Sequence, residues 1–571
     1  MLNVIFYIIA LVLIYCIATV PQNLMQGYTG LLSLSLAATF GIGAYGTGIA
    51  MQQLHFPFLL ALLFSVILAM VLQVLMAYPS LRLSDLYFVV GTLAFQFIIS
   101  SVMINSEVTG GAAGLFGLPT PSVFTVELGS PSLYVIICAL FAIICFAITY
   151  HFAHSSFGLK LRGVRDNLVA MESLGFNGKR QKVLVAGYYA IWAGLAGGLF
   201  AGLVSTVDPS PFGFSQSILM QSFIIVGGTG SLFGSILGVT ILVAFPELLR
   251  YIGVSGSYSG MVREILYGAL LVVLMRFRPE GIIAESPADA GWKWLAPGKV
   301  AGQAENKQEI SKDYSQILAP TVSIPSKTGQ PLLEAKDIHV NFGGLQALAG
   351  ASVKIYEGAI TGIIGPNGAG KSTLFNVISG FLSSNQGEII LNEANINEAT
   401  AQQRVMSGIT RTFQELRLFN SLTVRQNIAL SLVRRNDNLK SKTSADSLCA
   451  EIEGLVEFFK LNHVADLEVG SLSYGDQKFV SLARAVATGS KILLLDEPAS
   501  GLDKNQIAEL ISLMKKLVER GRTICLVEHN MDIVRAVSDY VYVLHQGGNI
   551  RDGKPEEVLM DAKVLEVYIG A

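Results

Sequence analysis

Charge is what the first half of this chain lacks. Up to about residue 285, Lys, Arg, Asp and Glu are rare, whereas they crowd the remainder of the 571 residues. The whole chain is 51% hydrophobic and 14% charged, with a mean hydropathy of +0.52, which is too apolar for one water-soluble body. A chain of this length also exceeds a single core, so at least two domains are expected, the first in lipid and the second in water. Cysteine is scarce too. Cys16, Cys138, Cys145, Cys449 and Cys525 show no C-x-x-C spacing and no neighbouring His cluster, which argues against a disulfide framework or a zinc site. The net charge is only −2 and the basic residues form no stripe, so nucleic acid is excluded as a natural partner. The first apolar run, Leu2 to Val20, lacks a basic leader and a small-x-small cleavage site before Pro21. It reads as a retained membrane helix, not a removed signal.

Runs long enough to cross a bilayer fall near 2–20, 28–52, 57–78, 86–104, 132–151, 183–205 and 263–277, with a glycine-broken region at 216–250. About seven to nine crossings follow. Lys160, Arg162, Arg165, Lys179, Arg180 and Lys182 share one loop and Arg82 occupies another, so both loops are expected in the cytoplasm and the N-terminus outside. The region 216–250 must then cross an even number of times or dip and return. Gly27, Gly30, Gly41, Gly43, Gly46 and Gly48 cluster about the second span, Gly194, Gly197, Gly198 and Gly202 in the sixth, and Gly227-Gly228-Thr229-Gly230 interrupts the region after it. Close helix packing and a substrate pathway are both compatible with such glycines. Ionisable residues are too few within the spans for a proton relay. The polar groups are amides, Gln22, Gln73, Gln96, Gln216 and Gln221, with Asn105 and Glu107 near an outer edge; they suit either an uncharged passage or interhelical hydrogen bonds. Within the basic loop, Val169 to Gly175 reads as a short helix ended by glycine, placed either to be pushed by a cytoplasmic motor or to rest on anionic lipid.

From about Ser286 to Gln330 the chain becomes polar and irregular, with Pro287, Pro297, Pro320 and Pro325, and reads as a tether. Leu332 to Val340 alternates like a strand. Gly365-Pro366-Asn367-Gly368-Ala369-Gly370-Lys371-Ser372-Thr373 then fits G-x-x-x-x-G-K-[ST], between a buried-strand pattern at 359–364 and a helix pattern at 374–378. Its backbone N–H groups and helix start suit β- and γ-phosphates, Lys371 adds a mobile charge, and the Ser372 hydroxyl suits Mg²⁺. The nucleotide is therefore expected to be ATP with Mg²⁺. Phe342 is placed either to stack on adenine or to fill the core. The apolar strand 491–495 ends in Asp496, suited to Mg²⁺ through water, and Glu497, suited to be the base for an attacking water. A second strand, 523–527, leads to Glu528-His529, and a histidine at the carboxyl end of a parallel strand can sense the γ-phosphate.

Together these residues resemble the nucleotide-binding subunit of ATP-binding-cassette (ABC) transporters. Arg411-Thr412-Phe413-Gln414 is similar to the family's Q-loop, Leu472-Ser473-Tyr474-Gly475-Asp476-Gln477 to its signature, Ser500-Gly501-Leu502-Asp503 to its D-loop and Glu528-His529 to its switch histidine. The signature departs from L-S-G-G-Q at Tyr474 and Asp476, while Ser473 and Gly475, which the resemblance places against an opposing γ-phosphate, remain. The finer resemblance is to high-affinity branched-chain amino acid uptake systems. Arg411 to Phe419 and Val567-Tyr568-Ile569-Gly570 are similar to their first ATPase; Gly27 to Leu34, Leu83 to Phe88, Thr109-Gly110-Gly111, Val226 to Gly234 and Phe277-Arg278-Pro279-Glu280-Gly281 to their second permease.

The resemblance implies an α-helical polytopic membrane domain (1–285), a flexible linker (286–331) and an α/β P-loop NTPase of the ABC ATPase type (332–571). It also implies catalytic roles for Glu497, His529 and Gln414, and Mg²⁺ held about Ser372, Gln414 and Asp496. Val169 to Gly175 would be the coupling helix. Expected partners are a second permease and a second ATP-binding subunit, or a second copy of this chain, with an extracytoplasmic binding protein, in a bacterial cytoplasmic membrane. Family members often carry a carboxylate soon after the run Thr92 to Phe95, where this chain has Gln96. An importer of urea, short amides or other amino acids therefore stays open as an alternative, as does an exporter.

Overall fold

The computed structural model describes residues 2–80, 85–123, 126–251, short pieces between 268 and 285, 318–321, 329–439 and 445–569. Arg82 to Ser84, Pro279, Gly570, and most of 263–277 and of the tether lie outside the described residues. The chain divides into two units, Met1–Arg165 with Lys179–Trp292, and Asp166–Gly178 with Lys293–Ala571.

The first unit is helical. Its main elements are α1 (Leu2–Thr29), α2 (Leu36–Gln52), α3 (Phe58–Ser80), α4 (Asp85–Asn105), α5 (Pro131–Ala153) and α6 (Ser156–Asp166). After α7 (Leu168–Ser173), which belongs to the second unit, come α8 (Gly178–Val204), α9 (Phe214–Gly227) and α10 (Leu232–Tyr251). By length and composition α1, α3, α4, α5 and α8 can each cross a membrane. Leu59, Leu60, Leu63, Ile67, Val71 and Leu75 of α3 are exposed, which suits a lipid-facing surface and would be costly in water.

The helix α2 shows the opposite pattern and is buried almost throughout. Its backbone reaches α8 directly: a Cβ on Gly197 would stand 1.8 Å from Phe40 O, and one on Gly43 would stand 2.1 Å from Gly194 O. Only glycine permits that approach, so these glycines serve helix packing. The second span accordingly begins at Leu36, later than its apolar pattern suggests, because α1 runs on to Thr29. The region 216–250 is two helices, α9 and α10, parted at Gly228 (φ +121°). Asn23 holds the break: Nδ2 donates to Gly228 O (3.0 Å) and Ser231 O (2.9 Å), while Oδ1 accepts from Gly230 N (2.8 Å).

The amides resolve toward interhelical bonding. Gln22 Nε2 donates to Gln221 Oε1 (3.1 Å) and Gln216 Nε2 to Tyr15 Oη (3.0 Å). Gln96 Oε1 accepts from Ala38 N and Ser217 Oγ (2.8 Å each), while its Nε2 donates to Phe212 O (2.7 Å). Gln73 Oε1 accepts from Thr39 Oγ1 (3.1 Å). Gln22, Gln73 and Gln96 are fully buried. In lipid an unpaired amide is costly, so these bonds specify which helices pack together.

The second unit is an α/β cassette. An antiparallel sheet is built from β1 (Leu333–Phe342), β2 (Leu345–Ile355), β4 (Gln386–Leu391) and β5 (Ala394–Asn395), in the order β2-β1-β4-β5. The central sheet combines β3 (Ile360–Ile364), β6 (Ile409–Arg411), β7 (Ile492–Asp496), β8 (Thr523–Val527), β9 (Tyr540–His545) and β10 (Gly548–Gly553), in the order β10-β9-β3-β8-β7-β6. All pairs in it are parallel except β9 with β10. β3, β7 and β8 are buried along their whole length, as continuous apolar runs in a sheet covered on both faces must be. Their carboxyl ends lie side by side, with Val527 opposite both Asp496 and Ile363. Leu318 to Thr321, inside the stretch read as a tether, is bonded to the cassette: the buried Arg522 donates to Leu318 O (2.7 Å) and Ala319 O (3.1 Å).

Candidate functional site

Three strand ends converge on one locus. The loop Gly365–Gly370 leaves β3 and enters α11 (Lys371–Ile378). Gly365 (φ +153°) passes so near β9 that a Cβ would stand 2.2 Å from Leu544 O, and Gly370 (φ +98°) starts the helix in the left-handed region. No other residue adopts that path without strain. Asn367, Gly368 and Ser372 are exposed, while Ala369 and Lys371 are buried and Pro366, Gly370 and Thr373 half-buried. Lys371 Nζ donates to Gly365 O (2.8 Å) and Pro366 O (2.9 Å). Burial pushes the Lys371 ammonium below the usual lysine range, and the Glu497 and Asp496 charges oppose that shift.

Asp496 ends β7 with its side chain 3% exposed. Its Oδ2 accepts from Arg411 Nη2 at 2.7 Å, and Arg411 Nη1 continues to Asn376 Oδ1 (2.5 Å) and Ser379 Oγ (3.3 Å) of the phosphate-loop helix and its cap. The second oxygen, Oδ1, is buried with no hydrogen-bond partner among the described residues. An orphaned carboxylate oxygen at the end of β7 and an exposed serine hydroxyl at the start of α11 are hard-oxygen donors of the kind that suit a hydrated Mg²⁺.

Glu497 is the hub. Its Oε2 accepts from Gln414 Nε2 at 2.9 Å and its Oε1 lies 2.9 Å from His529 Nε2. The residue itself stands at φ +46°, a strained conformation for a side chain of this size. Its backbone is bonded on both sides: its N donates to Val527 O (2.9 Å), and its O accepts from Lys478 Nζ (2.7 Å) and Ser500 N (3.3 Å). The three candidate catalytic residues, 83 and 32 positions apart in sequence, thus form one hydrogen-bonded array. Glu528 is buried beside it, with Oε1 accepting from Ala499 N (2.8 Å), and burial pushes its carboxyl above the usual range.

Beyond α11 come α12 (Ala401–Met406), α13 (Val424–Leu439) and α14 (Ala445–Phe458), and the signature residues open α15 (Tyr474–Ala487). Ser473 is its N-cap, and Ser473 Oγ donates to Asp476 Oδ2 at 2.6 Å while accepting from Asp476 N at 3.2 Å. A Cβ on Gly475 would stand 2.2 Å from Gln506 Nε2. Phe342 ends β1 half-exposed, and so does not belong to the buried core.

Three contributors were not singled out from the sequence. Lys478 sits one turn after Tyr474 and holds the Glu497 carbonyl. Arg411, which in the sequence only begins a motif-like run, joins Asp496 to α11. Arg404 is 2% exposed and donates to Ile378 O (2.8 Å), Ile396 O (3.0 Å) and Ala399 O (3.0 Å), closing the carbonyl end of α11. Its only local signal was an arginine on a short helix.

The segment read as a coupling helix also has a structure. Asn167 caps α7, its Oδ1 accepting from Ala170 N (2.9 Å), and Gly175 (φ +89°) follows its end. The segment packs on α12, with the Arg434 guanidinium over the Phe176 ring at 5.6 Å. Asp166 accepts from Ser421 N (2.8 Å) and Ser421 Oγ (2.7 Å), seven residues past Gln414.

A parallel-sheet ATPase with this loop and this carboxylate pair defines an ABC cassette. A family model described as ABC transporter matches residues 348–500, and one described as the permease component of a branched-chain amino acid transport system matches residues 4–275. LivG of Salmonella typhimurium, a high-affinity branched-chain amino acid transport ATP-binding protein, is 36% identical over 255 residues, 42% of this chain and 98% of its own length. BraF of Pseudomonas aeruginosa, of the same description, is 35% identical over 252 residues, again 42% of this chain and 98% of its own. A solved nucleotide-free ATP-binding cassette from an ABC transporter is 32% identical, covering 42% of this chain and all of its own, with a TM-score of 0.39. The chain belongs to the branched-chain amino acid transport family of ABC transporters, with permease and ATP-binding protein fused in one polypeptide. It is a membrane protein whose nucleotide-binding ATPase half is cytoplasmic.

Proposed function

We propose that this chain is the fused permease and ATPase subunit of an importer for branched-chain amino acids, supplied by an extracytoplasmic binding protein at a bacterial inner membrane. The permease occupies residues 1–285, a linker 286–331 and the cassette 332–571. The observation that carries the reading is the Gln414–Glu497–His529 array beside Asp496, within the same chain as a permease.

In this mechanism the Gly365–Thr373 loop binds the phosphates, and Lys371 exchanges its two carbonyl partners for phosphate oxygens. Phe342 stacks on adenine. Ser372, Gln414 and Asp496 would hold Mg²⁺, which supplies positive charge against the phosphate oxygens when bound. Glu497 takes a proton from the attacking water as the water oxygen bonds to the γ-phosphorus; the bond to the bridging oxygen breaks and ADP keeps the electron pair. His529 and Gln414 fix the two carboxylate oxygens of Glu497. Ser473 and Gly475 face the nucleotide of a second cassette, from a partner subunit or a second copy, and a second permease completes the passage. Residues 169–175 relay closure.

Uptake into proteoliposomes containing the complete assembly tests this. Expected is ATP-dependent accumulation of leucine, isoleucine and valine, with ATPase stimulated by liganded binding protein. Accumulation of urea or short amides instead overturns the substrate, and ATPase indifferent to binding protein overturns import.

A further inference from the structure

Within the cassette, the first turn of α15 touches the stretch that begins at Glu497 at three points. Lys478 Nζ donates to Glu497 O at 2.7 Å. A Cβ on Gly501 (φ +78°) would stand 2.6 Å from Tyr474 Cε1, so the backbone beyond Glu497 rests on the Tyr474 ring. A Cβ on Gly475 would meet Gln506 Nε2 at 2.2 Å, and Gln506 Oε1 in turn accepts from Asp503 N at 3.1 Å. The start of the helix is thereby fastened along the whole run from Glu497 to Gln506.

Of the three contacts, the Lys478 bond reaches the residue whose placement matters most. Lys478 is 7% exposed, and burial pushes its ammonium below the usual lysine range while the Glu528, Glu497 and Asp496 charges oppose that shift. A plain counter-ion would aim at one of those carboxylates. Among the described residues its hydrogen bond goes instead to the backbone carbonyl of Glu497, the residue held at φ +46°. A charged donor makes that bond about twice as strong as a neutral one would. The peptide plane it grips sets the direction in which the Glu497 side chain leaves the backbone, and so where Oε1 and Oε2 stand. The Tyr474 ring, 5.6 Å from the same ammonium, ties this grip to the first residue of the helix.

In the function proposed above, Ser473 and Gly475 face the nucleotide of a second cassette, whereas Glu497 acts on the nucleotide of its own chain; the inference rests on that reading. Ser473 is the N-cap of α15, and five residues, about 7.5 Å of helix, separate it from Lys478. A packed helix shifts as a rigid element and does not absorb a push within one turn. A nucleotide that seats against Ser473 therefore moves Lys478, and with it the Glu497 carbonyl. We propose that Lys478 is a positioning residue that relays occupancy of the neighbouring cassette's site to Glu497, so that a chain hydrolyses its own ATP only once its signature has engaged the other.

The test follows ATP turnover of the complete assembly against ATP concentration. Lys478→Met keeps the stem but removes the donor, and is expected to lower kcat about tenfold or more, the scale of one charge-assisted hydrogen bond, with KM for ATP nearly unchanged. Full turnover in this variant overturns the proposal. The decisive readout is a double-mutant cycle with Ser473→Ala. If Lys478 carries the signal from Ser473, the double variant is no slower than the slower single one; effects that multiply overturn the relay and leave Lys478 a structural residue. Native turnover in Ser473→Ala alone overturns instead the two-cassette reading beneath the relay. Hydrogen exchange reads the relay with Lys478 intact. On saturation with adenylyl imidodiphosphate, amides from Glu497 to Leu502 should gain protection in the native chain and less in Ser473→Ala, and equal protection in both overturns the proposal.

Discussion

Glu497 combines a reactive carboxylate with a backbone held in the left-handed region, and each feature predicts something different. Glu497→Gln keeps the shape but removes the proton acceptor, so hydrolysis should fall by about 10²- to 10⁴-fold while ATP stays bound; retained nucleotide and released phosphate are the two measurements. Arg411 predicts stability as well as rate. Arg411→Met strands a carboxylate 3% exposed, which costs about 3–5 kcal/mol when a buried pair loses one partner, read as a lowered denaturation midpoint of the purified chain. Glu528 predicts a pH dependence. Burial raises its pKa in the folded state, so the native protein holds this proton more tightly than the unfolded chain. The contribution to stability is then fully present below the ordinary carboxylate value and is lost as pH rises through the raised one. Unfolding temperatures of the native chain and of Glu528→Gln, followed from pH 4 upward, should diverge in favour of the variant as pH increases. A constant gap would mean that Glu528 keeps one protonation state throughout.

Among the elements, α7 is where soluble and membrane functions meet in the proposed mechanism, and the residue just before its cap, Asp166, ties it to the cassette. Asp166 accepts both the backbone and the hydroxyl of Ser421. Removing such charge-assisted bonds costs about 1.5–3 kcal/mol each. Asp166→Ala is therefore expected to lower transport well below its effect on ATP hydrolysis, and a proportional fall in both would deny α7 a coupling role. The contact also shows where sequence reading reaches its end. The helix itself was legible from a short apolar pattern closed by Gly175, because caps and terminators are local. Its partner Ser421 was not, because 255 residues separate the pair and no local pattern encodes the contact. The same division holds in the site. Gly365 to Thr373, Asp496-Glu497, Gln414 and His529 were legible as linear motifs at strand ends, whereas the grip of Lys478 on the Glu497 carbonyl and the bridge through Arg411 arise only once strands align. In the membrane unit the glutamines were visible but ambiguous, since an amide that lines a passage and one that bonds a neighbouring helix look alike in sequence.

Considered as a whole, the molecule places one phosphate loop, one signature and one permease in a single polypeptide. In the proposed mechanism each nucleotide is closed between the phosphate loop of one cassette and the signature of another, so a lone chain supplies two half-sites and no complete one. Hydrolysis should then depend on association. Diluting the purified assembly through its association constant is expected to lower ATP turnover per chain, and chains carrying Glu497→Gln should depress the activity of native chains with which they assemble. Sedimentation measured at the same dilutions ties the loss to dissociation, because a dissociating pair follows mass action. Turnover per chain that stays constant while sedimentation reports monomers would mean that one cassette completes its own site, and the requirement for a second cassette would fall.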